Sequence, residues 1–371
     1  MFHFDRYGDT ERLTCYKAAD AKVLWQLEFP VEYNDSFGYN NGPRAMPVAN
    51  ENFVAALGAA GRLIVADART GRLKWQKDTM ELYHVEPNFF GVGSTPCIYK
   101  NLLIVMVGGG TAGSPSLGIN RLNQRRAGDS AIVAFDLESG NEVYRVGSYL
   151  ASYSAPTIQQ IDGQDYGFAF CREGLMIFNP TSGEEIAFHR WRASINESVN
   201  AAWPVIHGNE IFISETYEIG STLLNFDGKQ LRTMWSDPKS KRDQSFRAHW
   251  ATPVLIDGVL YGCSGRNEPD SDLRAVQWSD GKVLWTQRTH ARANVISIGD
   301  HLISVDEYGL LQLIKPNPQK FEVITQMELL QSKQISGKEL VGTPVWAPPA
   351  FTDGMLIIRG GPSMVALQLG K

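Results

Sequence analysis

Side chains able to contact a ligand recur at one kind of position in this chain, just ahead of a short apolar strand that in most copies is led by Pro. These segments read Tyr39-Asn40-Asn41-Gly42-Pro43-Arg44, Glu86-Pro87-Asn88-Phe89-Phe90, Tyr149 to Ser154, Asn196-Glu197-Ser198-Val199-Asn200, Phe246-Arg247-Ala248-His249-Trp250, Arg292-Ala293-Asn294 and Val345-Trp346. The candidate ligand-binding set drawn from them is Asn41, Arg44, Asn88, Tyr153, Asn200, Arg247, His249 and Trp346. Arg44, Arg247 and Arg292 gathered at one mouth would call for anionic partners. Convergent amide, phenol and indole groups in a concavity are the usual make-up of a binding site. The plainer reading pairs each arginine with a backbone carbonyl or a neighbouring Glu, and makes His249 a hydrogen-bonded structural histidine. For each of Trp203, Trp250 and Trp346, core packing and ligand contact are equally good readings.

Catalysis is harder to build from these segments. Their carboxylates are Glu86 and Glu197, with no Asp, so an acid–base pair beside a calcium site is not assembled. No nucleophile elbow, phosphate loop or zinc signature occurs, and Gly108-Gly109-Gly110 follows a strand without opening a helix. Cys15, Cys97, Cys171 and Cys263 lie far apart beside apolar strands, which favours buried small hydrophobes and leaves a long-range disulfide open. No catalytic residue, metal ligand or cofactor is therefore assigned. A net charge of −5 offers nothing to a nucleic-acid backbone. The basic runs Arg125-Arg126 and Lys239-Ser240-Lys241-Arg242 read as solvated loops. No apolar stretch reaches the length of a membrane span, and no signal peptide is visible.

The elements that must position these residues are repeats. Ala66-Asp67-Ala68-Arg69-Thr70-Gly71-Arg72-Leu73-Lys74-Trp75 is the clearest copy of a strand–Asp–x–x–x–Gly–x–x–x–aromatic phrase. Asp136…Gly140…Tyr144 and Gln277…Gly281…Trp285 keep the spacing, while Asn179…Gly183 and Asp227-Gly228 drift. Each copy reads as a β-hairpin whose Gly supplies positive φ. A second hairpin precedes it, with strands after Pro47, Pro96, Pro156, Pro204, Pro253 and Pro349, and a copy without Pro at Val295. Two hairpins make a four-stranded module of about fifty residues, the period of a propeller blade. The expected fold is all-β: a β-propeller of four-stranded antiparallel blades forming one domain over residues 1–371. It has eight blades, or seven if the half-blades at the two ends merge.

Further expectations follow from the repeat. The first blade is incomplete, read either as a truncated or mis-started frame or as closure by strand exchange between the termini. Gly108 to Asp129 is an exposed loop insertion. Helix is limited to a turn or two, with Glu328 to Lys333 as the candidate. Trp25, Trp75, Tyr144, Trp235 and Trp285 lie largely buried between blades, where truncation costs about 3–5 kcal/mol.

The phrase Val65 to Trp75, with Ala134 to Gly140 and Ser279 to Trp285, resembles the pyrroloquinoline-quinone (PQQ) repeat. That repeat builds the eight-bladed propellers of quinoprotein alcohol dehydrogenases and of the barrel-assembly lipoprotein of bacterial outer membranes. The resemblance implies a periplasmic or cell-surface location. The dehydrogenase branch places an adjacent Cys-Cys ring over the quinone, and no such pair occurs here. The reading is a non-catalytic scaffold for a protein, peptide or saccharide partner. Its rival is a divergent PQQ- and calcium-dependent dehydrogenase.

Overall fold

The recurring phrase becomes a sheet in eight places. A computed structural model describes residues 1–86, 88–238, 243–288, 291–330 and 340–369. Among these residues eight antiparallel sheets form, over 2–30, 48–78, 97–146, 157–190, 205–236, 254–287, 293–328 and 350–368, taken here as blades 1 to 8. Blades 2 to 7 have four strands and blades 1 and 8 have three, so the terminal half-blades stay separate sheets. The fold is an all-β, eight-bladed propeller. Helix among the described residues is confined to Thr79–Tyr83 and the 3-10 segment Ile119–Gln124. The chain groups into two compact units, Met1–Ala201 with Asp227–Leu231, and Ala202–Phe226 with Arg232–Lys371.

Local chemistry explains why the phrase recurs. Asp67 Oδ1 accepts the backbone N–H of Arg69 at 3.1 Å, that of Thr70 at 2.8 Å, and the Thr70 hydroxyl at 2.8 Å. That Asx turn delivers the chain to Gly71 at φ +72°. Asp136 does the same with Ser139. The glycine has a second duty, because the aromatic of the preceding blade lies on it. A Cβ on Gly71 would stand 2.6 Å from the Trp25 ring, on Gly140 2.7 Å from Trp75, and on Gly281 2.9 Å from Trp235. The indole N–H groups then cross to the same turns, Trp25 to Ala68 O at 3.1 Å, Trp75 to Leu137 O at 3.0 Å and Trp235 to Trp278 O at 2.8 Å. Repeat glycine and repeat aromatic are thus two halves of one joint between successive blades.

The Pro-led strands obey an equally local rule. Pro tolerates only the start or edge of a sheet, and each such strand, as in Cys97–Tyr99 and Val254–Ile256, is the edge strand of its blade. Where Thr precedes Pro, its hydroxyl ties neighbouring blades. Thr95 accepts from Met46 N and Thr252 from Trp203 N, both at 2.9 Å. The core lies between blades: Leu63, Val65, Leu103, Val105, Val133 and Phe135 form one such cluster.

Two expectations are corrected, the solvation of Arg125 and the helix at Glu328 to Lys333. The docking aromatics keep only a minor part of their surface exposed, so truncation of one is expected to cost about 3 kcal/mol. The insertion is anchored at Glu86, whose carboxylate accepts the Ser116 hydroxyl at 2.6 Å and Leu117 N at 2.7 Å. Arg125 is not solvated: its side chain is only 5% exposed and donates to Pro115 O and His84 O. The helix considered at Glu328 to Lys333 is a strand up to Glu328; residues 331–339 lie outside the described residues, as do Lys239 to Arg242.

Candidate functional site

In the first unit, five of the residues singled out by the sequence join one network. Asp35 is its pivot, with a fully enclosed carboxylate. It accepts the N–H groups of Phe37 at 3.0 Å, Tyr39 at 3.0 Å and Asn40 at 3.1 Å. Arg44 binds Asp35 Oδ2 at 3.0 Å, Phe90 O at 2.8 Å and Asn40 O at 3.0 Å. The Asn41 side-chain oxygen accepts Asp35 N at 2.8 Å. Across the strand start, Tyr153 accepts Phe90 N on its hydroxyl at 2.7 Å, and Tyr153 N donates to Asn200 O at 3.1 Å. Asn200 is fully buried, and its amide donates to Cys171 O at 2.8 Å and Trp191 O at 3.2 Å. Asn88 donates to Ala151 O at 3.5 Å and accepts Arg172 at 3.4 Å.

Arg172 is a hub that sequence reasoning missed. It is 2% exposed, and its guanidinium donates to Ser198 O at 3.1 Å, Asn196 O at 2.6 Å and the side-chain oxygen of Asn123 at 3.3 Å. Burial and then the charge of Arg192 push its pKa down to about 10, so it stays protonated at neutral pH. Asn123 belongs to the insertion, which is therefore sewn onto blade 4 through Arg172, Arg192 and Asn196. No local pattern announced Arg172, because its partners come from three separate stretches of chain, at 88, 123 and 196–198.

The second unit treats its candidates differently. Arg247 is 6% exposed and places one nitrogen 2.9 Å from both carboxylate oxygens of Asp270. It lines a polar cleft of about 530 Å³ with Asp243, Asp270, Asp272, Arg274 and Arg288. His249 and Trp346 join another cluster. The Tyr217 hydroxyl and His249 Nε2 are 3.2 Å apart, and the His249 ring packs 4.9 Å from that of Trp250. Burial, then Arg292 and Arg266, push the His249 pKa down to about 3, too weak a base to take a proton near neutrality. Arg292 lies 4.7 Å over Trp250 and 5.5 Å over Trp346 while its guanidinium forks onto Glu307. The Trp346 indole donates to the same carboxylate at 3.0 Å.

Of the eight sequence-predicted residues, Asn41, Arg44, Asn88, Tyr153 and Asn200 are thus brought together, His249 and Trp346 meet in a second cluster, and Arg247 stands in a cleft of its own. All four cysteines are free thiols, so the open disulfide is not formed. Among the described residues no three His, Cys, Asp or Glu side chains stand close enough to hold a metal ion. No described helix is long and apolar enough to cross a membrane.

The family model described as outer membrane protein assembly factor BamB matches residues 6–123 and 128–302. The chain belongs to this family. Among solved structures it is similar to BamB from Moraxella catarrhalis at 14% identity and a TM-score of 0.61, over 100% of this chain and 94% of that one. The computationally designed Ika8 protein matches at 10% identity and a TM-score of 0.58, over 99% and 95%. A quinohemoprotein alcohol dehydrogenase from Pseudomonas putida HK5 is similar at 13% identity and a TM-score of 0.47, over 95% of this chain and 60% of that one. No curated protein matches in sequence. At these identities the structural likeness is a likeness of fold, and the residues of the site are this chain's own.

Proposed function

We propose that this BamB-family propeller is a non-catalytic scaffold of the cell envelope, periplasmic or surface-located, that binds a protein partner through its blade-connecting loops. One observation carries the reading: the cations and amides suited to holding a substrate are spent inside the molecule. Arg44 is closed onto Asp35 and Phe90 O, Arg247 onto Asp270 and Arg292 onto Glu307, so they fix loops. Family membership supports it, the matched description being that of an assembly factor.

The rival, a PQQ-dependent dehydrogenase, needs a flat platform, a calcium-holding carboxylate set and a basic carboxylate. The residues present do not fit it. Trp250 and Trp346 already share Arg292 between them, and Glu307 is taken by Arg292 and the Trp346 indole. Two measurements test the proposal. Purified protein given the quinone and calcium is expected to reduce no artificial dye with alcohols, and turnover would overturn the reading. Photo-crosslinkers placed on exposed loop residues in cells are expected to trap a specific protein; trapping none at any loop would also overturn it.

A further inference from the structure

We infer that the aromatic surface carried by loop 34–43 docks an extended, apolar-rich peptide segment of a partner protein; this rests on the scaffold reading above. Phe37 is 49% exposed and Tyr39 57% exposed. Single exposed aromatics are ordinary, but these two rest on further rings, the half-buried Phe90 and Tyr153 and the buried Phe89. The Phe37 ring lies 5.9 Å from Phe89 and 5.7 Å from Phe90, Tyr39 lies 6.0 Å from Phe90, and Phe90 lies 5.8 Å from Tyr153.

The loop is held rigid in presenting them. The enclosed Asp35 carboxylate takes the N–H groups of Phe37, Tyr39 and Asn40 together with Arg44. Burying a carboxylate for loop geometry is costly. The return is a fixed conformation, which removes the ordering entropy that docking otherwise costs. Rigid aromatic side chains held in water are the usual anchors of a binding surface.

Area and charge choose the occupant. Half-exposed Phe and Tyr rings offer roughly 200 Å², about a quarter of the ~800 Å² per partner of a stable globular interface. That suits two or three side chains of a linear segment. Arg44, the cation beneath the patch, is already neutralised by Asp35, so nothing there asks for an acidic partner. Asn34 and Asn40 are exposed at the rim; their side-chain oxygens accept from Asn41 and Gly42 N, which turns their NH2 groups to peptide carbonyls. An uncharged segment with apolar side chains on one face matches all three features.

The test uses fluorescence polarisation with a labelled dodecapeptide of alternating Val and Thr flanked by Lys. The wild-type protein is expected to bind it, and the double variant Phe37→Ser/Tyr39→Ser to bind at least about tenfold more weakly with an unchanged melting temperature. Leu82→Ser, at a side chain 54% exposed elsewhere, is expected to bind as wild type. Should the double variant melt early, Tyr39→Ser alone replaces it, with the same loss expected. Equal binding by the variant, no wild-type binding at about 1 mM peptide, or binding of chitohexaose in place of the peptide would each overturn the docking site. If the peptide result is negative while loop crosslinking still traps a protein, the docking site falls and the scaffold reading stands.

Discussion

Arg172 in the first unit and Arg292 in the second each hold loops together, by opposite means. Arg172 spreads its charge over neutral acceptors, the carbonyls of Asn196 and Ser198 and the side-chain oxygens of Asn88 and Asn123, with the Phe89 ring 6.0 Å away. Arg292 closes on the single carboxylate of Glu307 between two indole rings. Both gather stretches of chain far apart in sequence, the first onto neutral oxygens and the second, with Trp250, Arg266 O and Trp346, around one charged pair. A buried cation that rests on carbonyl dipoles fixes many loops at once and has no acidic partner to titrate. A cation paired with one carboxylate answers to pH through that partner.

Breaking the first hub carries the largest expected effect. Arg172→Met keeps the volume but removes the charged donor shared by Asn88, Asn123, Asn196 and Ser198, each such bond being worth about 1.5–3 kcal/mol. It leaves Asn88 to Phe89 N, and Asn123 and Ser198 to Arg192. A loss of about 3–5 kcal/mol is expected, measured by denaturant melts. Faster amide exchange is expected in the insertion at 108–129, since Asn123 ties it to Arg172. A loss under about 1 kcal/mol would mean the two hubs do not differ as argued.

Next comes Glu307→Gln, expected to cost about 2 kcal/mol at pH 7 because it leaves Arg292 without its counter-charge, reduced from a fully buried pair by solvent access. Burial works against the carboxylate, but hydrogen bonds from Arg292 and Trp346 outweigh it and hold the Glu307 pKa below the ordinary carboxyl value. Its stabilising contribution is therefore complete above that ordinary value and is lost as pH falls through the lowered one. The gap between variant and wild type should close on acidification from pH 5 toward 3. A gap that widens there would break the assignment.

These two sites also mark how far the sequence was legible. Blade count, joint residues and edge strands could be read because each rests on short spacing: Asp67, Gly71 and the next strand's aromatic all sit within ten residues. The candidate positions each precede an edge strand, yet only Asn41, Arg44, Asn88, Tyr153 and Asn200 meet in one network, while His249 and Trp346 share another and Arg247 stands apart. Their roles were not legible, because a role depends on the partner. Arg247 meets Asp270 and Arg44 meets Asp35 in this structure, and only the second pair had a local sign, the Asp35-to-Gly38 turn. Arg172 had none, since its partners converge from segments up to 84 residues away.

A carboxylate beside the first hub sharpens the contrast by sign. Burial raises the Glu173 pKa above its ordinary value, against the hydrogen bond from Leu150 N and the charges of Arg192 and Arg172. Its ionised form therefore penalises the fold once pH climbs past the ordinary carboxyl range. Glu173→Gln is expected to melt no lower than wild type at pH 7, and slightly higher, with the advantage gone by about pH 4. Glu173 and Glu307 substitutions should thus move stability in opposite directions at neutrality. A clear loss from Glu173→Gln at pH 7 would show that Arg172 depends on that carboxylate after all.

The smallest effect is expected where a carboxylate pair reaches solvent. Arg247 is enclosed, but the Asp270 side chain is 48% exposed and can be replaced by water at the guanidinium. Asp270→Asn keeps an oxygen for Arg247 and loses a partly screened attraction, so about 0.5 kcal/mol or less is expected at 0.15 M salt. Lowering the salt should enlarge the difference modestly, because this pair sits in an open cleft. The same series on Arg172→Met should show no salt dependence, since dipoles carry that hub. If Asp270→Asn costs as much as Glu307→Gln, then enclosure of the acid does not decide the strength of these pairs, and the ordering proposed for the two units fails.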